Sequence, residues 1–171
     1  DNNRFKEGDK VLVTGYDLGM NTDGGFAEYI RVPSEWVIPL PENLSLKEAM
    51  VYGTAGFTAA LAIMKFLSIG ITPESGKILV TGATGGVGTL AISILAKLGY
   101  SIIASSGKKD MYEFLKNLGA KEIVPREDII DQSNRPLIKR RWTAAIETVG
   151  GKTLDSVIRA TEKDGAVAVI G

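Results

Sequence analysis

Apolar residues run unbroken through Ile78, Leu79 and Val80 and then return at Val87, Leu90, Ala91, Ile94, Leu95 and Leu98, with a glycine cluster between. The hydrophobic period therefore changes from that of a strand to that of a helix at the glycines, which predicts a strand–turn–helix unit. The change recurs downstream. Strands are expected at 101–105, 122–124, 144–147 and 166–170, and helices near 110–118 and 153–161, with Gly119 and Pro125 as punctuation. Upstream, Ser45 and Glu48 make a capping box for a helix starting at Leu46. A second apolar helix is expected over 57–67, with Ala59, Ala60, Ile63, Met64 and Leu67 facing inward, and with Met64 and Phe66 as core residues rather than a ligand cage. Alternating helix and strand specifies a parallel sheet wound with right-handed crossovers.

The first forty-odd residues have a different character. Val11 to Gly15 predicts a strand, and the alternation from Phe26 to Val32 predicts a half-buried antiparallel one. The proline-broken stretch from Trp36 to Pro41 suits an edge or a connector. The expected architecture is α/β, a Rossmann-type doubly wound parallel sheet preceded by part of a β-rich domain. Residues 1–44 form the β-rich part, and residues 45–171 the sheet, ending after its fifth strand. An apolar strand at the very end of the chain, and a start without methionine, predict a piece of a longer protein.

Charge and composition narrow the chemistry. Twenty basic and twenty acidic residues cancel, so nothing in the total points to nucleic acid or an anionic membrane, and a small-molecule substrate is the expected partner. Cysteine and histidine are both absent, which rules out disulfides and leaves no Cys/His set for zinc in these residues; no metal is expected. No apolar run reads as a membrane span and no leader precedes a cleavage site, so a soluble cytoplasmic protein is expected.

Gly82, Gly85, Gly86 and Gly88 suit the close approach of a diphosphate to main-chain N–H groups at the positive end of a helix, where a Cβ would obstruct it. By spacing alone the loop also fits the Thr-Gly-x-x-x-Gly-x-Gly form of short-chain dehydrogenases, so a dinucleotide is indicated but the superfamily is open. A nucleoside-triphosphate loop is unsupported, since no lysine and Ser/Thr pair follows the glycines. Gly151-Lys152-Thr153 mimics that pair, but Ile146 stands where its first glycine is needed. Tyr112 and Lys116 have the spacing of a short-chain Tyr-Lys couple, yet they follow directly on the second strand and read as helix surface.

The end of that second strand selects the cofactor. An acidic residue there takes the ribose hydroxyls of NAD, whereas a 2′-phosphate needs small polar and basic groups. Ser105-Ser106-Gly107-Lys108-Lys109 carries no carboxylate before Asp110, which lies past Gly107 and reads as a helix-start residue. Ser106 and Lys108 are the leading 2′-phosphate ligands. Arg126, ending the neighbouring strand, offers a planar fork to the same pocket. NADPH is the expected cofactor.

Gly8-Asp9-Lys10-Val11, Gly24-Gly25-Phe26-Ala27-Glu28-Tyr29 and Thr84-Gly85-Gly86-Val87-Gly88, in that order, resemble the medium-chain dehydrogenase/reductase superfamily across nearly the whole chain. Gly53-Thr54-Ala55-Gly56-Phe57-Thr58-Ala59, Ser106-Gly107-Lys108, Leu118-Gly119-Ala120 and Pro125-Arg126 resemble its zinc-free branch of quinone oxidoreductase-like proteins and NADPH-dependent acrylyl-CoA reductases. The resemblance implies that the β-rich part belongs to a GroES-like substrate domain. It also implies that Thr84, Gly85, Gly86 and Val87 bind the diphosphate, that Ser106, Gly107, Lys108 and Arg126 bind the adenosine end, and that Thr148 and Val149 approach the nicotinamide ribose. Thr54 stands where zinc-dependent relatives carry a ligand cysteine, and a homodimer is the assembly common in the superfamily. The implied reaction is zinc-independent hydride transfer from NADPH to an electron-poor C=C, such as that of acrylyl-CoA, or to a quinone. No catalytic proton donor is identifiable; Tyr52 and Thr54 read as packing. The competing reading is a non-catalytic NADPH-binding paralogue with a sensor or structural role.

Overall fold

The run Lys77–Val80 forms a strand with three successive buried residues, as expected of a strand covered on both faces. In the computed structural model, which describes residues 4–133 and 135–170, this strand lies at the centre of a five-stranded parallel sheet. The elements in chain order are β1 (Val11–Leu12), β2 (Ile38–Pro39), α1 (Leu46–Ser68), β3 (Lys77–Val80), α2 (Gly86–Lys97), β4 (Ser101–Ser106), α3 (Tyr112–Asn117), β5 (Glu122–Pro125), β6 (Trp142–Glu147), α4 (Gly151–Ala160) and β7 (Thr161–Val169). The sheet order is β5-β4-β3-β6-β7, so the chain winds outward from β3 in one direction and then returns to pair β6 on its other side. The switch point between β3 and β6 is where a doubly wound sheet opens its crevice.

Alternate residues of the strands enter two cores. Ile78, Val80, Ile102, Ala104, Ala144 and Ile146 pack with Ala59, Ile63 and Phe66 of α1 and with Ala91, Ile92 and Leu95 of α2. Leu79, Ile103, Val124, Trp142 and Ala145 pack on the opposite side with Val157 and Ala160 of α4. The strand period of two thus assigns α1 and α2 to one face and α4 to the other. Tyr100, just before β4, is buried and its hydroxyl donates to Ile71 O at 2.7 Å; burial raises its pKa above the ordinary phenol value.

The chain divides into two compact units, Asp1–Thr54 and Ala55–Gly171. The break falls inside α1, beside Gly53, whose φ of 46° and ψ of −150° interrupt the helix. The capping box forms as expected: Glu48 N–H donates to Ser45 Oγ at 3.2 Å while Ser45 N–H donates to Glu48 Oε2 at 2.8 Å. The Ser45 hydroxyl also donates to Glu48 Oε2 at 2.6 Å, and this bond, with the one from Ser45 N–H, holds the Glu48 carboxyl below its usual range.

Three expectations change. The buried stripe of α1 is Ala59, Ala62, Ile63 and Phe66, whereas Met64 is 63% exposed and Leu67 is also exposed. A helix presents one face, and the positions three, four and seven beyond Ala59 take it, which turns Met64 outward. In the first unit, β1 and β2 pair antiparallel over only two residues each, and residues 26–32 form no strand. Phe26 and Tyr29 are fully exposed there, and alternation makes a strand only where a partner and a covering apolar surface exist. Finally, α1 is long and apolar enough by composition to cross a membrane, although no single run was expected to be. A core helix passes the same test, and the stripe from Ala59 to Phe66 is buried against the sheet.

Sheet edges shift slightly. Thr161 already pairs Trp142, so β7 begins before the expected 166, with a register shift between Trp142 and Ala144 and a positive φ at Asp164.

Candidate dinucleotide site

β3 ends at Val80, and Thr81 N–H continues the pairing by donating to Ile146 O at 3.0 Å. The chain then turns through Gly82, with φ of 55°, and Gly85 N–H closes the turn on Gly82 O at 2.8 Å. α2 starts at Gly86 with Gly85 as its cap residue. No side chain caps this end and no acidic residue lies in its first turn, so the positive end of the helix macrodipole is neutralised by no carboxylate of its own. That is the arrangement a diphosphate fits, and Thr84, Gly85, Gly86 and Val87 all lie on it. Val87 is half-buried and packs its side chain on the core, so what it offers an anion is backbone.

Gly88 has a different task. An ideal Cβ there would sit 2.5 Å from Gly82 O and 2.8 Å from Ala83 Cα, so only glycine lets the helix approach the turn this closely at position 88.

Ser106, Gly107, Lys108 and Arg126 come together at the ends of β4 and β5. Ser106 pairs Pro125 in register, which sets Gly107 beside Arg126, with an ideal Gly107 Cβ 4.0 Å from Arg126 Cβ. Gly107, Lys108 and Arg126 are exposed, whereas Ser106 is buried. Ser106 Oγ accepts from the Lys108 backbone N–H at 3.1 Å, which fixes the main chain of the turn after β4. Tyr112 Oη donates to Ser106 O at 3.3 Å and completes the turn. Asp110 falls in a short 3-10 turn, Lys109–Met111, that leads into α3, consistent with a helix-start role.

Thr148 and Val149 sit in the turn between β6 and α4. Thr148 N–H donates to Thr81 Oγ1 at 2.9 Å and Thr148 Oγ1 donates to Thr81 O at 3.0 Å, so the Thr148 hydroxyl proton is already committed to β3. Val149 is exposed.

Sequence reasoning overlooked Glu147. Its carboxylate is completely buried at the end of β6. Oε1 accepts from Thr81 Oγ1 at 3.1 Å, from Val149 N–H at 2.9 Å and from Gly150 N–H at 3.1 Å, and Oε2 accepts from Gly150 N–H at 3.0 Å. The available signal was a carboxylate directly after the apolar run Ala144-Ala145-Ile146 and before a glycine pair.

A parallel sheet with this strand order, a glycine turn at the switch point and a basic strand end one place over define a dinucleotide-binding fold. The chain belongs to the zinc-binding dehydrogenase family, whose sequence profile matches residues 86–171, within the medium-chain dehydrogenase/reductase superfamily. Over 168 residues it is 43% identical to the acrylyl-CoA reductase AcuI of Ruegeria pomeroyi, covering 98% of this chain and 51% of that protein. Bacillus subtilis yhfP, solved with NAD bound, superposes with a TM-score of 0.95 at 51% identity, covering 99% of this chain and 51% of that one. Escherichia coli yhdH, solved with NADPH bound, gives 0.93 at 44% identity, covering 97% and 51%. The chain thus spans about half the length of the relatives it matches.

The family's name refers to zinc, and the residues here do not fit that ion. The chain has no histidine or cysteine, and no group of three or more metal-ligating side chains occurs among the described residues.

Proposed function

We propose that this chain is the cofactor-binding part of an NADPH-dependent, zinc-independent oxidoreductase that reduces an electron-poor C=C, as in an acrylyl-CoA-like enoyl thioester, or a quinone. The observation that carries the reading is the grouping of Ser106, Gly107, Lys108 and Arg126 next to a helix start at Gly86 that no side chain caps, with Ala83 N–H donating to Ser105 O at 3.1 Å between the two strand ends. The 43% identity to an acrylyl-CoA reductase and the NADPH complex of yhdH support the same cofactor and substrate class. On this reading residues 1–44 belong to a GroES-like substrate domain, and the protein is cytoplasmic and homodimeric.

Bound NADPH supplies the hydride. The chain's own residues bind and orient: the backbone from Thr84 to Val87 receives the diphosphate, Ser106, Gly107, Lys108 and Arg126 receive the adenosine end and its 2′-phosphate, and Thr148 and Val149 line the way to the nicotinamide ribose. Positioning and exclusion of water are the protein's share of the catalysis.

The test is NADPH oxidation by the full-length protein with acrylyl-CoA and, separately, with a quinone. Turnover of either is expected, and the preferred one names the substrate class. Tight NADPH binding with turnover of neither would overturn this enzymatic reading and favour a non-catalytic NADPH-binding protein.

A further inference from the structure

The strongest feature that the cofactor contacts do not use is the buried Glu147. Every partner it has is a donor, so its two oxygens act only as acceptors, and they draw on two separate turns. One is the Thr148–Gly150 turn, through the Val149 and Gly150 N–H groups. The other is the glycine turn after β3, through the Thr81 hydroxyl. Thr81 returns the connection, because its Oγ1 also accepts Thr148 N–H and its carbonyl accepts the Thr148 hydroxyl. The glycine turn is further restricted here: an ideal Cβ on Gly82 would collide with Thr148 Oγ1.

We propose that Glu147 is a positioning residue of the dinucleotide site, locking the turn after β6 to the turn after β3 and so setting affinity for the nicotinamide half of the cofactor. The proposal rests on the cofactor reading above. A dinucleotide lies across the crevice at the switch point with its diphosphate at the helix start. The basic cluster at Ser106 and Arg126 lies on the β4 side of β3, so the adenosine half occupies that side. The other half must extend past β6, over the turn that Glu147 holds. Glu147 reaches this half only through Val149 and Gly150, since its own carboxylate is buried and spoken for.

The role separates from general structural support, because adenosine 2′,5′-bisphosphate fills the β4 side and, with its 5′-phosphate, the helix start, but has no part that reaches the turn after β6. In Glu147→Gln, an isosteric change, an amide nitrogen replaces one acceptor oxygen, so a donor faces the remaining N–H groups. Binding of NADPH and of adenosine 2′,5′-bisphosphate is measured by calorimetry on the full-length protein. NADPH is expected to weaken about tenfold, the scale of one hydrogen bond to a charged group, while the bisphosphate is unchanged. Thr81→Val is expected to show the same selective loss, and the double variant to lose less than the sum of the two, as members of one network do. If Glu147→Gln does not fold, Thr81→Val carries the test alone. Equal weakening of both ligands, or no weakening of NADPH, with the unaltered protein binding normally, would overturn the positioning role. Failure of the unaltered protein to bind NADPH would overturn the cofactor reading itself, and the proposal with it.

Discussion

An ideal Cβ on Gly88 lies 2.5 Å from the carbonyl oxygen of Gly82, a separation that real side chains do not adopt. The obstacle is backbone on both sides, so neither partner yields by a rotamer change. Gly88→Ala must therefore push α2 away from the turn after β3. Overpacking of this kind costs about 1–3 kcal/mol. Denaturant unfolding is expected to show that loss together with weakened NADPH binding, since the same displacement moves the helix start. Unchanged stability would mean that the turn is slack.

At the other end of the cofactor, Lys108→Asp combined with Ser106→Ala is expected to weaken NADPH by about ten- to a hundredfold, the scale of losing a charge-assisted hydrogen bond, while NADH changes little. Lys108 and Arg126 are exposed on neighbouring strand ends, so Arg126→Ala should act in the same direction. Paired titrations with NADPH and NADH read the difference. Equal losses for the two nucleotides would show that these residues do not hold the 2′-phosphate.

Phe66 is buried in the core between α1 and the sheet, whereas its neighbour Met64 is exposed. Phe66→Ala is expected to cost about 3–5 kcal/mol and Met64→Ala well under 1 kcal/mol, by the usual scale of core and surface truncations. Thermal unfolding of the two variants checks which face of α1 is docked; similar losses would contradict the assignment.

How much of this was legible beforehand depended on whether a residue's neighbours are close in sequence. The glycine turn, the parallel sheet and the grouping of Ser106 with Arg126 follow from local period and from right-handed winding, and the sheet reproduces them; the order of its strands appears only in the fold. Met64 misled because residues 57–67 are apolar on more than one side, so composition outweighed phase. Phe26 to Val32 misled because a half-buried strand is defined by what covers it, and nothing within the first unit buries Phe26. Glu147 was invisible for a related reason. Its donors come partly from Thr81, far away in sequence, and only strand pairing brings them together.

Asp131 supplies a pH-dependent contribution. The Ser133 hydroxyl bonds its Oδ2 at 2.6 Å, and the Arg159 guanidinium, 2.9 Å away, adds to the effect, so its carboxyl is held below the ordinary aspartate value. Because the folded value is the lower one, the stabilisation is fully present above the unfolded aspartate pKa and is lost as pH falls through the folded value. Asp131→Asn should therefore lower Tm most at neutral pH, with the gap to the unaltered protein closing on acidification. A gap that stays constant with pH would exclude this linkage.

The central claim is that the crevice between β3 and β6 takes a dinucleotide with a phosphate on its adenosine ribose. Fluorescence titration of the full-length protein with NADPH and NADH side by side tests it most directly. The account predicts saturable binding of both nucleotides, with NADPH tighter by about tenfold or more, the scale of a phosphate held by charge-assisted hydrogen bonds. Tighter binding of NADH, or binding of neither, would contradict it.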